Sequence, residues 1–379
     1  MPEAWDVIVV GLGAMGSATL HQLARRGHRV LGIEQFTPGH ALGSSHGRSR
    51  IIREAYFEDP RYVPLVQRAY ECWRAFEDES GVTVFRQTGG LMLGAPESPV
   101  VSGARRSAEL HGLAHEILSA DEVHRRHPAF RLREHEIGVF EPRAGMLAPE
   151  LAITTSIALA RRHGATVTTG EAMHSWSASG DGVEVLTSAG TYRGARLILT
   201  VGAWAGKVFG ELGIPFTVQR NVLHWFTPLR NAHHFAPEQL PIFIHQTESG
   251  QAWYGFPDVG DGVKLALHHH GETADPDMPR RTVTDEEVEA VRRIMRQHLP
   301  DADGPLRESQ PCLYTNVPDE HFVIDTHPAH DAVIVASPCS GHGFKFSSAI
   351  GEVLADMATD RPVGFDTSLF SLARFAHRG

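Results

Sequence analysis

Four stretches carry side chains with chemical capacity. The first is Ser44-Ser45-His46-Gly47-Arg48-Ser49-Arg50-Ile51-Ile52-Arg53. A helix starting at Ser49 would set Arg50 and Arg53 one turn apart on a shared face. Two permanently charged guanidinium groups there suit a carboxylate, which they grip in a fork; the plainer reading is a solvated basic face. The second is Gly341-His342-Gly343-Phe344-Lys345, where a lysine sits in an apolar, glycine-rich run. The third is Lys264 in Gly262-Val263-Lys264-Leu265-Ala266-Leu267-His268. Strand alternation puts Lys264, Ala266 and His268 on one face, which is ordinarily solvated. The fourth is Cys312 in Gln310-Pro311-Cys312-Leu313-Tyr314-Thr315. A lone thiol is most often a small core residue, and its sharper reading is a covalent link. The runs His233-His234 and His268-His269-His270 argue little for a metal, because consecutive strand residues point to opposite faces; no metal is expected.

Such side chains need elements to hold them. The clearest is the opening βαβ unit. Asp6 to Val10 is a continuous apolar run of the kind buried on both faces of a parallel sheet. It leads into Gly11-Leu12-Gly13-Ala14-Met15-Gly16, a helical pattern ending at Arg26-Gly27, and a second strand, Val30 to Ile33, followed by Glu34. This is the dinucleotide fingerprint in its expected context. Gly11 allows the tight turn, Gly13 the approach of a pyrophosphate, and Gly16 the close seating of helix on strand. Glu34 can accept from a ribose 2′-hydroxyl and would repel a 2′-phosphate.

Further segments read as parts of the same unit. Leu151 to His163 is a helix, and Ala165 to Thr169, Val183 to Leu186 and Ala195 to Thr200 are strands. Ala332 to Ala336 is another, followed by Ser340-Gly341-His342-Gly343 and a helix through Ile350 and Leu354. That second glycine-rich turn can present backbone amides to the far end of a long cofactor. Between about 217 and 316, Val222 to Phe226, Ala252 to Phe256 and Val263 to Leu267 read as strands of a separate antiparallel sheet.

Composition narrows the class. The 379 residues carry 35 Lys+Arg against 45 Asp+Glu, a net charge of −10, which disfavours a general nucleic-acid or anionic-membrane binder. At 42% hydrophobic and 21% charged, the chain is an ordinary globular one and not disordered. Three cysteines, Cys72, Cys312 and Cys339, are too few for a disulfide framework. The acidic start Met1-Pro2-Glu3 and the end Ala376-His377-Arg378-Gly379 show no leader or anchor. A cytoplasmic protein is the expectation.

Taken together, these stretches resemble the monomeric sarcosine oxidase and N-methyltryptophan oxidase family of flavoproteins. The likeness runs from Asp6-Val7-Ile8-Val9-Val10-Gly11 to Phe370-Ser371-Leu372-Ala373-Arg374-Phe375. It is most specific at Gly43 to Tyr56, Cys312 to Thr315, Asp319 to Asp325 and Ser340 to Ser348. The resemblance implies an α/β plus α+β fold, with a discontinuous FAD-binding domain (1–80, 146–216 and 320–379) beside a largely antiparallel catalytic domain (81–145 and 217–319). It implies FAD, attached through Cys312 and held with Gly11, Gly13, Gly16, Glu34, Ser44, Arg50, Gly341, Gly343 and Lys345. Arg53 and Lys345 fall where the family clamps the substrate carboxylate, and Lys264 where it places the lysine that promotes reaction with oxygen. His46 and Arg50 match residues near the flavin ring; Tyr254, His268 and Tyr314 match residues lining the substrate cavity. Arg48-Ser49 replaces the Asp-Thr of well-known members, and Glu54 replaces a histidine.

The resemblance thus implies a monomeric oxidase of secondary amino acids. It would give an imine, then formaldehyde, a primary amino acid and hydrogen peroxide, with molecular oxygen as second substrate. A same-fold dehydrogenase, an oxidase of cyclic imino acids and a non-catalytic flavin-binding module remain as alternatives.

Overall fold

The structure is a computed structural model that describes residues 4–180 and 182–375; the terminal residues Met1 to Glu3 and Ala376 to Gly379 lie outside these. The first apolar run forms the strand Ala4–Val10, whose last four residues are buried. On one side it pairs in parallel with Val30–Glu34, which in turn pairs in parallel with Thr166–Thr169. On the other it pairs in parallel with Thr191–Leu199, which continues to His330–Ser337. Antiparallel strands complete this eight-stranded sheet, Met173–Ser179 and Gly182–Thr187 at one edge and Val323–His327 against His330–Ser337. Val7, Val9 and Ile198 face the helical side, while Ile8, Val10 and Leu197 face the other. Burial on both faces explains why these strands read as unbroken apolar runs and not as alternating ones.

The helices Ala14–Arg25, Pro149–Arg162 and Ser347–Ala358 pack together over that sheet. Gly16 is what lets the first of them sit down: a Cβ there would lie 1.9 Å from the Gly11 carbonyl oxygen.

A second, nine-stranded sheet runs in the order Glu272–Thr273, Thr217–Phe226, Val263–Leu267, Ala252–Phe256, Ile242–Gln246, Gly90–Gly94, Ile137–Glu141 and Glu116–Ser119. Leu306–Asn316 lies alongside Thr217–Phe226. Every pairing is antiparallel except that of Ile242–Gln246 with Gly90–Gly94. Arg50–Ile52, Gly145–Leu147 and Phe85–Gln87 form a third, small antiparallel sheet.

Two expectations are corrected here. Arg50 begins a strand and not a helix, because the β-branched pair Ile51-Ile52 suits a pleated surface and pairs with Met146 and Gly145. Lys264 has no solvated face to occupy, since all five residues of Val263–Leu267 are buried. Among the described residues, no helix is long and apolar enough to cross a membrane.

Candidate active site

A cavity of about 270 Å³ runs between the two large sheets, where a single water needs only ~10–15 Å³. One end is lined by Gly11, Gly13, Ala14, Glu34 and Gly202. The other is lined by Arg53, Tyr254, His268, Tyr314 and Lys345, with Arg50, Ser44, Cys312, Gly341 and Gly343 between. The structure therefore brings nearly all the residues singled out from sequence to one space. Gly16, His46 and Lys264 are the exceptions: Gly16 seats the helix against the Gly11 carbonyl, and none of the three lines the cavity itself.

The first end is built for an anion. The helix Ala14–Arg25 starts at Gly13 with no side-chain cap, so its first N–H groups are free for a phosphate. Glu34 is buried, and its two carboxylate oxygens accept from the amides of Leu12 at 2.7 Å and Phe36 at 2.9 Å. It thus braces the glycine loop as well as facing the cavity.

At the other end the chemistry is cationic. Arg53 is 1% exposed and donates to the Glu58 carboxylate at 2.6 and 2.7 Å and to the Ala55 carbonyl at 2.9 Å. Its guanidinium lies 4.4 Å from the Tyr56 ring centre and 4.2 Å from that of Phe57. The Lys345 ammonium donates to the His342 carbonyl at 2.6 Å and lies 5.2 Å from the Tyr56 ring centre. Burial, reinforced by Arg53, pushes the Lys345 pKa down to about 7. Gly343 fixes the turn that delivers this lysine, because a Cβ there would fall 1.8 Å from the Pro338 carbonyl oxygen.

A chain of ring hydroxyls crosses the same end. Tyr254 and Tyr314 share a hydrogen bond at 3.3 Å, and Tyr314 reaches His268 Nδ1 at 3.4 Å. Burial holds the His268 imidazole well below its ordinary pKa, so the ring is neutral.

Cys312 and Lys264 meet around Arg50. The Arg50 guanidinium donates to the Ser44 carbonyl at 2.8 Å, to the Ser49 carbonyl at 2.8 Å and to Cys312 Sγ at 3.5 Å. The Lys264 ammonium donates to the Gly47 carbonyl at 2.7 Å, the Ser49 carbonyl at 2.8 Å and Ser49 Oγ at 3.1 Å. Burial, with Arg50 beside it, lowers its pKa well below the lysine norm. His46 Nε2 donates to the Pro311 carbonyl at 2.8 Å, and burial brings its pKa to about 4.

Three acids were not anticipated from the sequence. Glu58 pairs with Arg53; burial pushes its pKa up, but the charge and hydrogen bond of Arg53 together with His342 and Lys345 outweigh that and hold the carboxyl below its ordinary pKa. Glu141, buried, accepts from the amides of Glu54 and Ala55 at 2.7 and 2.8 Å and so pins the backbone beyond Arg53. Glu150 accepts from the Gly47 amide at 2.7 Å and the Arg48 amide at 3.1 Å. Glu141 and Glu150 act on backbone amides roughly a hundred positions away, and no local pattern signals them; the one cue for Glu58 is an acid in the apolar run after Arg53.

The donor set fits FAD. Besides the uncapped helix and the glycine cradle, Ser44 Oγ, Thr315 Oγ1 and Arg53 Nε are buried lining-residue atoms without a hydrogen-bond partner. Buried polar atoms are ordinarily satisfied, so a polar ligand is what this wall is made for.

Comparison with known proteins defines the class. Residues 6–357 match the family described as DAO, FAD dependent oxidoreductase, and the chain belongs to that family: it is an FAD-dependent oxidoreductase. Within the family it is 43% identical to the monomeric sarcosine oxidase of Streptomyces avermitilis, covering 99% of each chain. It is 36% identical to the N-methyl-L-tryptophan oxidase of Yersinia pestis, covering 98% of this chain and 99% of the relative. Among solved structures, NikD, an amino acid oxidase essential for nikkomycin biosynthesis, superposes with a TM-score of 0.86 at 25% identity over 97% of both chains. L-proline dehydrogenase from P. horikoshii shares the fold, with a TM-score of 0.85 at 22% identity over 100% of this chain and 99% of that one.

Proposed function

We propose that the protein is an oxidase of secondary amino acids, N-methyl amino acids above all, with molecular oxygen as the electron acceptor. The carrying observation is the pair of buried cations, Arg53 and Lys345, at one end of a cavity whose other end suits a dinucleotide. FAD, when bound, supplies the acceptor for two electrons from the substrate C–H bond.

The protein's share is binding and orientation. Arg53 and Lys345 hold the substrate carboxylate, for which Arg53 Nε is a donor still unpartnered. Fixing that carboxylate fixes the N-methyl carbon relative to the cavity wall, an orientation effect that can contribute several kcal/mol. The two cations also lower the pKa of the substrate nitrogen, favouring the neutral amine, whose lone pair is needed to form the imine. Neutral His268 adds no competing charge, while Tyr254 and Tyr314 offer hydroxyls at this end. Water then splits the imine into formaldehyde and the primary amino acid, and oxygen leaves as hydrogen peroxide.

Lys264, whose charge the Gly47 and Ser49 carbonyls and the Ser49 hydroxyl sustain against burial and Arg50, provides positive charge for the reaction with oxygen, where negative charge develops. Arg50, between Cys312 and Lys264, and His46 behind it shape the field there. Cys312 serves as the covalent attachment point, supported by its place on the cavity wall beside Arg50. On this reading, residues 1–80, 146–216 and 320–379 form the cofactor domain and 81–145 with 217–319 the catalytic one, in a monomeric cytoplasmic enzyme.

The test is a peroxide-coupled screen of N-methyl and cyclic amino acids of graded size, each beside its methyl ester. Peroxide from the acids and not the esters is expected. Peroxide from neither, with the cofactor bound, overturns the reading.

A further inference from the structure

We infer that Arg48 is a positioning residue for Lys264, a clasp that holds the ammonium's acceptors in place; this rests on the role of Lys264 proposed above. All three hydrogen bonds from the Lys264 ammonium end on the segment 47–49. What fixes that segment therefore fixes the charge. The segment is not at rest by itself. Arg48 has φ +66°, the left-handed region in which a residue with a Cβ is uncommon and is kept only by its surroundings.

Two sets of contacts keep it. From inside the fold, the Glu150 carboxylate takes the amides of Gly47 and Arg48. From outside, the Arg48 guanidinium, half exposed, bridges Asp261 at 3.0 Å and Glu308. It also lies 4.8 Å from the ring centre of Trp225, the same buried indole that has the Lys264 ammonium at 5.5 Å.

The strand register shows what the bridge spans. Trp225 is the cross-strand partner of Lys264 on one side and of Glu308 on the other, and Asp261 lies three residues before Lys264 in the chain. Arg48 thus ties the 47–49 segment to the three adjacent strands that carry Lys264, Trp225 and Glu308. Its own charge is matched by two carboxylates, so its contribution is geometric. Without the clasp, the left-handed turn is free to relax and the two carbonyls draw away from the ammonium, leaving a buried lysine short of acceptors and inclined to lose its proton.

The experiment uses the holoenzyme and follows two rates separately by stopped flow: anaerobic bleaching of the yellow cofactor by substrate, and recovery of the colour on mixing with oxygen. Alongside them, hydrogen exchange of the 44–50 amides is read by mass spectrometry. Arg48→Ala is expected to slow colour recovery roughly tenfold, the worth of one charge-assisted hydrogen bond, with bleaching unchanged and faster exchange at 47–49. Arg48→Lys, which can still reach one carboxylate, restores part of the rate. Arg48→Gly does not, although it removes the cost of positive φ. The double variant Asp261→Asn with Glu308→Gln leaves the backbone sequence of the turn untouched and shifts both readouts in the same direction, which carries the test if Arg48→Ala misfolds.

Unchanged colour recovery in Arg48→Ala or the double variant, while Lys264→Met slows it, overturns the clasp and leaves Lys264 its role. A normal Arg48→Gly assigns the effect to the turn alone and also overturns the clasp. Unchanged recovery in Lys264→Met removes the reading on which the clasp rests.

Discussion

Replacing Lys345 by methionine separates function from stability with opposite signs. The side chain is 5% exposed and has one hydrogen bond, to the His342 carbonyl. Moving its pKa from about 10.4 in the unfolded chain to about 7 in the fold means the folded state disfavours the charged form by about 4 kcal/mol at neutral pH, at 1.36 kcal/mol per pKa unit. Methionine has a similar length and no charge, and it forfeits only the single hydrogen bond, worth roughly 1.5–3 kcal/mol with a charged donor. The variant should therefore unfold a few degrees higher than the parent.

The sign fixes the pH window. Below about pH 7 both folded and unfolded lysine are charged and the full cost is present. It fades above that and is gone near pH ~10.4, where both are neutral. The thermal advantage of Lys345→Met should follow the same course, largest in acid and vanishing in alkali. Catalysis should move the other way. Removing one partner of a buried carboxylate pair costs ~2–5 kcal/mol, so kcat/KM for the amino acid should fall by about 30- to 5,000-fold. Scanning calorimetry across pH and steady-state kinetics read the two effects. A variant that melts lower at neutral pH, or that keeps its kcat/KM, refutes this account of the site.

Two further outcomes follow from the same geometry. Cys312→Ser should release its yellow colour into the supernatant on acid precipitation, whereas the parent protein keeps it in the pellet; colour retained in the variant pellet rules out that thiol as the attachment point. Gly16→Ala would push a methyl group to 1.9 Å from the Gly11 carbonyl oxygen, and backbone cannot yield as a side-chain tip does. That protein should purify with little flavin or fail to fold, and a preparation with full cofactor content and an unshifted melting point contradicts the close seating of helix on strand.

The sequence was most legible where one local pattern determines the outcome. Continuous apolar strands and glycine turns announced the parallel sheet and both ends of the cavity, because burial on two faces and absent Cβ atoms leave direct traces in residue type. Legibility failed where the neighbour that matters is remote. Arg50 and Arg53 fit a helix by spacing, yet pairing with Gly145–Leu147 draws the segment into a strand. Lys264 fits a solvated face by alternation, but that face is covered by the Gly47 and Ser49 carbonyls, brought over from a segment 217 and 215 positions earlier in the chain. Glu141 and Glu150 serve backbone amides 86 to 103 positions away, a relation that no window along the chain displays.

The cations of the site are satisfied in ways that differ in kind, and the differences point to what must bind. Lys264 spends its hydrogen bonds on three protein oxygens and is complete. Arg53 has a full ionic partner in Glu58 but an idle Nε. Lys345 has a single neutral acceptor, the His342 carbonyl. Positive charge buried without equal negative charge is costly, so the cavity end bearing Arg53 and Lys345 is the less settled one and gains most when a carboxylate arrives. On the proposed reading, Lys264, already enclosed by protein oxygens, is left to serve the reaction with oxygen. Two cations on that reading grip a substrate carboxylate without engaging the third.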